Sequence, residues 1–454
     1  MTGAMEVAPN ADTAPVIHTP YPGPRSLAIL GRMTLVEGAG LRTGAAGPPP
    51  LVVESGSGSL LTDPDGNVFI DLYASFAAAT LGHCHPEVTE AIQRQAARLT
   101  HASSAFGSEV RVAFQEALLS IAPEGLDRSL LAITGADANE LALKLARTKT
   151  GHHDVIAFSG GYFGRPAGVA GLNGKAAFRT RVGIHADAHF FPYPYPYRWR
   201  LGDPAAAGRQ VLELIAGALE DGASGVGPPA AIFVEPIQGN GGVVIPPRGF
   251  LQGLRALCDQ HGALLVFDEI QSGFGRSGRM WAGEASGVVP DLMTVGKGIG
   301  GGLALAAVVG RAEHMNHWAA GTHTSTFLAN ALNLAAGAAA IGVMQRDRLP
   351  ERSAEVGALL LDRLRSELAE VACVGEVRGA GLFIGVEVVD AHESRQPAPE
   401  RAARIRQRCL EEGVVVGIGG HAENVIKVSP PLNIPRQQLD AAASILIDVV
   451  RGAS

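Results

Sequence analysis

The chain has 454 residues, 46% hydrophobic and 18% charged, enough for two or three units with sizeable cores and too apolar to be disordered over most of its length. Its 58 glycines and 28 prolines, without a G-X-Y period, exclude collagen and imply many tight turns. A net charge of −7, from 37 basic and 44 acidic residues, argues against a nucleic-acid binder, and Cys84, Cys258, Cys373 and Cys409 are too scattered for a disulfide framework or a Cys-rich zinc site.

Residues 1–17 lack the basic start and apolar run of a signal peptide and read as a loose tail. No run of 18 apolar residues occurs; the closest, 292–310, is interrupted by Lys297 and rich in glycine. A cytoplasmic protein with no membrane span is expected. Residues 51–72 read as a strand pair broken by Pro-Asp-Gly, and 85–102 as a helix. An alternation follows: helix 109–121, strand 130–134, helix 137–148, strand 154–158, helix 209–220, strand 230–236, helix 249–261, strand 263–270. Short buried strands at 291–297 and 304–310 close it. Strands apolar throughout and alternating with helices predict an α/β fold whose mostly parallel sheet is covered on both faces. The last third predicts an α+β unit: helix 353–371, a strand pair in VGEVRGAGLFIGVEVV, helix 399–412, strands in GVVVGI and NVIKVSP, and helix 436–451. The expected organisation is a large domain over 75–335 and a smaller one combining 18–74 with 336–454. PYPYPYR at 192–198 reads as a rigid surface or interface loop.

Four segments carry chemistry. Lys297 is the only charge between Asp291 and Arg311. A lysine in apolar surroundings loses solvation, its pKa falls, and it becomes a nucleophile fit for a Schiff base; a snorkelling lysine on a glycine-rich loop is the bland alternative. Gly296-x-Gly298-x-x-Gly301 matches a dinucleotide fingerprint by letter but lacks the acidic residue about 20 positions on, and the segment is not a Walker loop. Asp268, in LLVFDEIQSGFGRSG, ends an apolar strand where open α/β sheets bind ligands. It could hold a protonated pyridine nitrogen, keeping such a ring electron-withdrawing, or merely cap a loop. TGADANELALKLAR at 134–147 runs a glycine turn into a helix whose free N–H groups suit a phosphate, although Asp137 there is equally explained by ordinary capping. FSGGYFGR at 158–165 supplies Tyr162, whose face could stack on a flat heterocycle, and Arg165, which could hold a carboxylate. His83-Cys84-His85 has no further ligand-type partners, so no metal is expected.

Together these segments resemble class III aminotransferases, pyridoxal-phosphate enzymes of fold type I. The resemblance runs from PGPRS at 22 to SPPL at 429–432. FDEIQSGFGRSGRMWAGEASGVVPDLMTVGKGIGGG is similar to the family signature, with Lys297 29 positions after Asp268, and GADANELALKLAR, GGYFGR, VEPIQGNGG, LGHCHPEV and VRGAGLFIGVE are similar to its other blocks. The resemblance implies that Lys297 carries pyridoxal 5'-phosphate as a Schiff base and shuttles the proton. It pairs Asp268 with the pyridine nitrogen and Gln271 with the ring hydroxyl. Tyr162 would stack on the ring, Gly135 and Ala136 would give N–H groups to the phosphate, and Glu235 would support the carboxylate shell. Thr326 would reach the phosphate of a neighbouring subunit, which implies a homodimer with shared sites. Phe76, Arg165 and Lys427 would line the substrate pocket.

The sequence departs from the family pattern at several of these blocks. Asn240 stands where members using ω-amino donors carry Glu, and Lys427 where many carry Arg; those two side chains form a gate that Asn240 cannot form. Leu328 and Ala329 replace glycines after Thr326-Phe327. The implied activity is transfer of an amino group from an amine or amino acid to a 2-oxo acid. The alternatives on the same scaffold are an amino-acid racemase or epimerase, a lyase of phosphorylated amines, and a non-catalytic binding protein.

Overall fold

The computed structural model describes residues 14–41 and 49–453. Most of the expected tail therefore lies outside the described residues, but Val16 already pairs with Val68 through two backbone hydrogen bonds of 2.9 and 2.8 Å. Three sheets organise the described residues. The first joins β1 (Ser55–Ser57), β2 (Leu60–Thr62) and β3 (Val68–Asp71) as an antiparallel meander. The second contains β4 (Arg128–Ala132), β5 (Asp154–Phe158), β6 (His189–Phe191), β7 (Pro229–Val234), β8 (Leu264–Asp268), β9 (Leu292–Val295) and β10 (Ala306–Gly310). The third contains β11 (Val374–Ala380), β12 (Phe383–Val388), β14 (Gly417–Gly419) and β15 (Val425–Val428) and is antiparallel, while β13 (Val414–Val415) joins the first sheet parallel to β3.

The seven-stranded sheet has the order β4-β10-β9-β8-β7-β5-β6. Neighbours from β9 to β6 are parallel, and only β10 runs against both of its partners. Alternate residues of its strands feed opposite cores, as pleating requires. Val155, Ala157, Phe233 and Val266 pack with the helix Gly135–Thr150, whereas Ile156, Phe158, Ile232 and Phe267 pack with helices Ala207–Glu220 and Phe250–His261. Parallel strands covered on both faces bury both sets of alternate side chains, which explains the apolar centres of β5, β7 and β8.

Two helices were not legible in the sequence pattern, Pro24–Val36 and Ala331–Arg346. The second crosses the expected domain boundary at 335/336. PYPYPYR also differs from expectation. Tyr193 and Tyr195 are buried, and Tyr195 donates to Glu387, which also pairs with Arg378 and Arg198. The loop is interior because a buried carboxylate there collects a phenol and two guanidinium groups. Among the described residues no helix is long and apolar enough to cross a membrane.

Candidate active site

The carboxyl ends of the parallel strands converge on one place. β8 ends on Asp268, β7 is followed by Glu235, β9 is followed two residues on by Lys297, and β4 leads into the turn at Thr134–Gly135. Lys297 leaves the sheet at φ +49°, in the left-handed region, and opens a short turn through Gly300. Burial pushes its amine down to about 8, against the upward pull of Asp268 and Glu235. A larger fraction of it is therefore neutral near physiological pH than of an ordinary lysine.

Asp268 is buried, and each oxygen accepts one hydrogen bond: Oδ1 from the Ile270 N–H at 2.9 Å and Oδ2 from Asn139 Nδ2 at 2.8 Å. Burial raises its carboxyl to about 6, opposed by those two donors and by Lys297. Glu235 accepts from the N–H groups of Tyr162 at 3.0 Å and Gly239 at 2.8 Å. Burial, then the Asp268 charge, push it up to about 8. Glu235 thus fixes the backbone beside Tyr162. Glu269 turns away from the site, to Ser272 and the Gly283 N–H.

At the start of the helix Gly135–Thr150, Thr134 Oγ1 accepts from the Asp137 N–H. The N–H groups of Gly135 and Ala136 have no acceptor among the described residues, because a helix cannot satisfy its own first donors. A Cβ on Gly135 would come within 2.8 Å of Ile270 Cδ1, so glycine keeps the approach to this turn, whose free N–H groups suit an anion, open.

Tyr162 packs edge-on against Phe178, with ring centroids 5.4 Å apart. The Arg165 guanidinium lies 4.4 Å from the Phe178 centroid and 5.8 Å from that of Tyr162. It is exposed and has no ion-pair partner among the described residues. Opposite stands Lys427, on β15 between Gly385 and Gly417 in the ladder. It is 3% exposed and makes no hydrogen bond or ion pair among the described residues. Its Nζ lies 5.8 Å from the centroid of Tyr73, whose ring is 4.8 Å from that of Phe76. Burial, then Lys297, push the Lys427 amine down to about 8. Asn240 does not pair with Lys427; its carbonyl accepts from the Gly420 N–H at 2.9 Å.

Phe76 sits in a four-residue turn of left-handed backbone, Ala74 to Ala77, with φ of 47°, 49°, 63° and 66°. Asp71 Oδ1 accepts from the Tyr73 and Ala74 N–H groups, both at 2.8 Å, while Oδ2 meets His83. Gln271 Nε2 donates to the Phe76 carbonyl at 3.2 Å. Contacts and charge interactions thus link Lys297, Asp268, Glu235 and Lys427, join Tyr162 to Glu235 and Arg165, join Gln271 to Phe76, and set Gly135, before Ala136, against Ile270. Thr326 is exposed and makes none of these contacts. Leu328 and Ala329 are buried within their own chain, and Asn330 caps the helix Ala331–Arg346. Tyr73 and Asn139 belong to the site and were not singled out from sequence. The only signal for Tyr73 is its place beside Phe76; Asn139 shows none, since its partners are distant in the chain.

Fold and site together define a pyridoxal-phosphate-dependent transferase of fold type I. The model of the family described as aminotransferase class-III matches residues 43–450. The diaminobutyrate–2-oxoglutarate aminotransferase of Haemophilus influenzae is 37% identical over 86% of this chain and 88% of its own. The alanine/serine racemase of Pyrococcus horikoshii is 33% identical over 95% of this chain and 92% of its own. Among solved structures, the ornithine aminotransferase of Toxoplasma gondii, crystallised with partial occupancy of the cofactor, superposes with a TM-score of 0.79 at 30% identity, covering 94% of each chain. The chain belongs to the class III aminotransferases. The residues present fit the cofactor: an enclosed lysine of lowered pKa, a buried carboxylate beside it, and two acceptor-less N–H groups at a helix start.

Proposed function

We propose that this aminotransferase handles α-amino acids and 2-oxo acids, with the carboxylate beside the reacting carbon held by Lys427. The observation that carries the reading is the Lys427 side chain itself, a buried cation with no anion partner among the described residues. In class III members that gate their sites, a glutamate masks this cation; Asn240 leaves it permanently available. Bound pyridoxal phosphate supplies an electron-withdrawing ring that stabilises negative charge at the amino-bearing carbon. Lys297 holds the cofactor covalently and moves the proton at that carbon, for which an amine titrating near 8 is suited. Asp268 keeps the ring nitrogen protonated, Gln271 faces the ring hydroxyl, Tyr162 covers the ring, Glu235 fixes the Tyr162 backbone, and Gly135 and Ala136 bind the phosphate. Tyr73 and Phe76 wall the pocket, and Arg165 meets a second, distal carboxylate where the substrate has one.

We further propose a cytoplasmic homodimer in which Thr326 completes the partner's phosphate site; its exposure in the single chain supports this, as the four free thiols support a reducing compartment. The same reading keeps a large domain over 75–335 and a small one over 18–74 and 336–454, with the helix Ala331–Arg346 as their joint. A panel of α- and ω-amino donors with 2-oxoglutarate or pyruvate, scored for new amino acid, loss of chirality and released phosphate, tests the substrate reading. Transfer from ω-amines alone would overturn it. Racemisation without transfer would favour the racemase reading, to which the Pyrococcus horikoshii relative lends weight, and phosphate release the lyase. Borohydride reduction and peptide mapping should place the cofactor on Lys297, and an adduct on Lys175 or Lys427 would refute that assignment.

A further inference from the structure

Asn139 occupies the second turn of the helix Gly135–Thr150 and is 1% exposed. Its amide is fully committed to three separate elements. One N–H donates to Asp268 Oδ2 at 2.8 Å and the other to the Phe163 carbonyl at 3.0 Å. Its Oδ1 accepts from Thr294 Oγ1 at 2.8 Å. Thr294 is fully buried and pairs with Asp268 across the β8–β9 ladder. The three partners agree on one orientation. A flipped amide would set its oxygen against a carboxylate and a carbonyl, two acceptors, and a buried acceptor without a donor costs about 1–3 kcal/mol.

The consequence for Asp268 is geometric. With Ile270 N–H on one oxygen and Asn139 on the other, the carboxylate is held in one orientation at the strand end. Phe163 adjoins Tyr162, whose own N–H is fixed by Glu235. One amide therefore spans the carboxylate that meets the edge of the cofactor ring and the segment that covers its face.

We propose that Asn139, held in orientation by Thr294, is the positioning residue that fixes the Asp268 carboxylate and the Tyr162–Phe163 segment as one rigid unit. This rests on the reading of Asp268 as the partner of the ring nitrogen.

The test compares pyridoxal-phosphate dissociation constants of Asn139→Asp, Asn139→Leu and Thr294→Val with wild type across pH 5.5–8.5, by titrating cofactor into the stripped protein. Asn139→Asp keeps the volume but can donate only while protonated. Its loss of affinity relative to wild type should therefore grow by about tenfold or more as pH rises and the two carboxylates give up a shared proton. Thr294→Val should weaken binding by roughly 3- to 10-fold, and Asn139→Leu by more than either. A residue that only fills space would give an Asn139→Asp ratio that does not change with pH. That result, together with wild-type affinity in Thr294→Val, overturns the proposal, whether or not Asn139→Leu folds. Asp268→Asn separates the two layers of the argument. If it binds cofactor and turns over as wild type does, the role of Asp268 itself falls. If it is impaired while Asn139→Asp and Thr294→Val are not, only the positioning role falls.

Discussion

A buried amine without an anion is costly to fold around, and Lys427 makes that cost measurable. Below pH 8 Lys427 is charged in both folded and unfolded chains, and burial disfavours the folded form by about 3 kcal/mol, the equivalent of a fall from 10.5 to about 8. As pH climbs from 8 to 10.5 the folded amine loses its proton first and the penalty fades. Lys427→Met should therefore raise the melting temperature of the cofactor-free protein by a few degrees at pH 7, with the gain vanishing near pH 10.5, while weakening every 2-oxo acid. An unchanged melting temperature at pH 7 would mean that an anion already neutralises the site. Arg165 tests the other end of the substrate. Losing a charged hydrogen-bond partner costs on the order of 2–3 kcal/mol, roughly 30- to 150-fold. Arg165→Ala should raise KM for 2-oxoglutarate by that factor and leave pyruvate nearly unaffected, and equal effects on both acceptors would make Arg165 structural. At this scale the residues that break a local rule were legible, as Lys297 was by being the lone charge in an apolar run. Asn139 was not, because an asparagine in a helix looks ordinary until Asp268, Phe163 and Thr294 are brought to it.

Among the described residues, Ala74–Ala77 is the longest consecutive run of non-glycine residues with left-handed backbone. Each non-glycine residue in that region costs about 1–2 kcal/mol, and Asp71 offsets part of it by accepting the N–H of Ala74, the turn's first residue, and that of Tyr73 just before it. Ser75 is exposed with φ +49°. Ser75→Gly should stabilise the protein by up to about 1 kcal/mol, the relieved strain less the entropy glycine loses on folding. Asp71→Ala should release the turn, lower the melting temperature and raise KM by loosening Phe76. A denaturant midpoint unmoved by either substitution would show that the turn is not under load. No sequence pattern announces this turn, since ASFA contains no glycine. The helix Ala331–Arg346 escaped for a different reason: it is apolar nearly all round, being packed against helices Pro86–Ala96 and Glu109–Ser120, so no polar face gave it a period. The strand–helix alternation of 109–310 was plain because most of its strands have apolar centres, as in LLVF of β8 and AAVV of β10.

For the whole molecule the question is whether one chain makes one site. Thr326 is exposed in the single chain, and its proposed partner is a phosphate held by a second copy. Mixing Lys297→Ala subunits with Thr326→Ala subunits should restore activity in the hybrids, because each hybrid dimer contains one site with both residues intact. Full activity in a sedimenting monomer would contradict shared sites. The resemblance implied this arrangement from HTSTFLAN alone; nothing in the composition or periodicity of a single chain could have done so.

The pairing of β3 with β13 has a consequence for how the protein is made. Ser429 donates to the Leu72 carbonyl at 2.7 Å, and its hydroxyl reaches the Tyr73 carbonyl 356 positions earlier in the chain. At about 5–20 residues per second of synthesis, those partners emerge on the order of 20–70 s apart. Throughout that interval the nascent chain carries an apolar strand with an open edge, a template for wrong pairing. The partners of the strand beside the strained turn are complete only when the ribosome has nearly reached the last helix, so a chain stalled before residue 414 should aggregate more readily than the full chain.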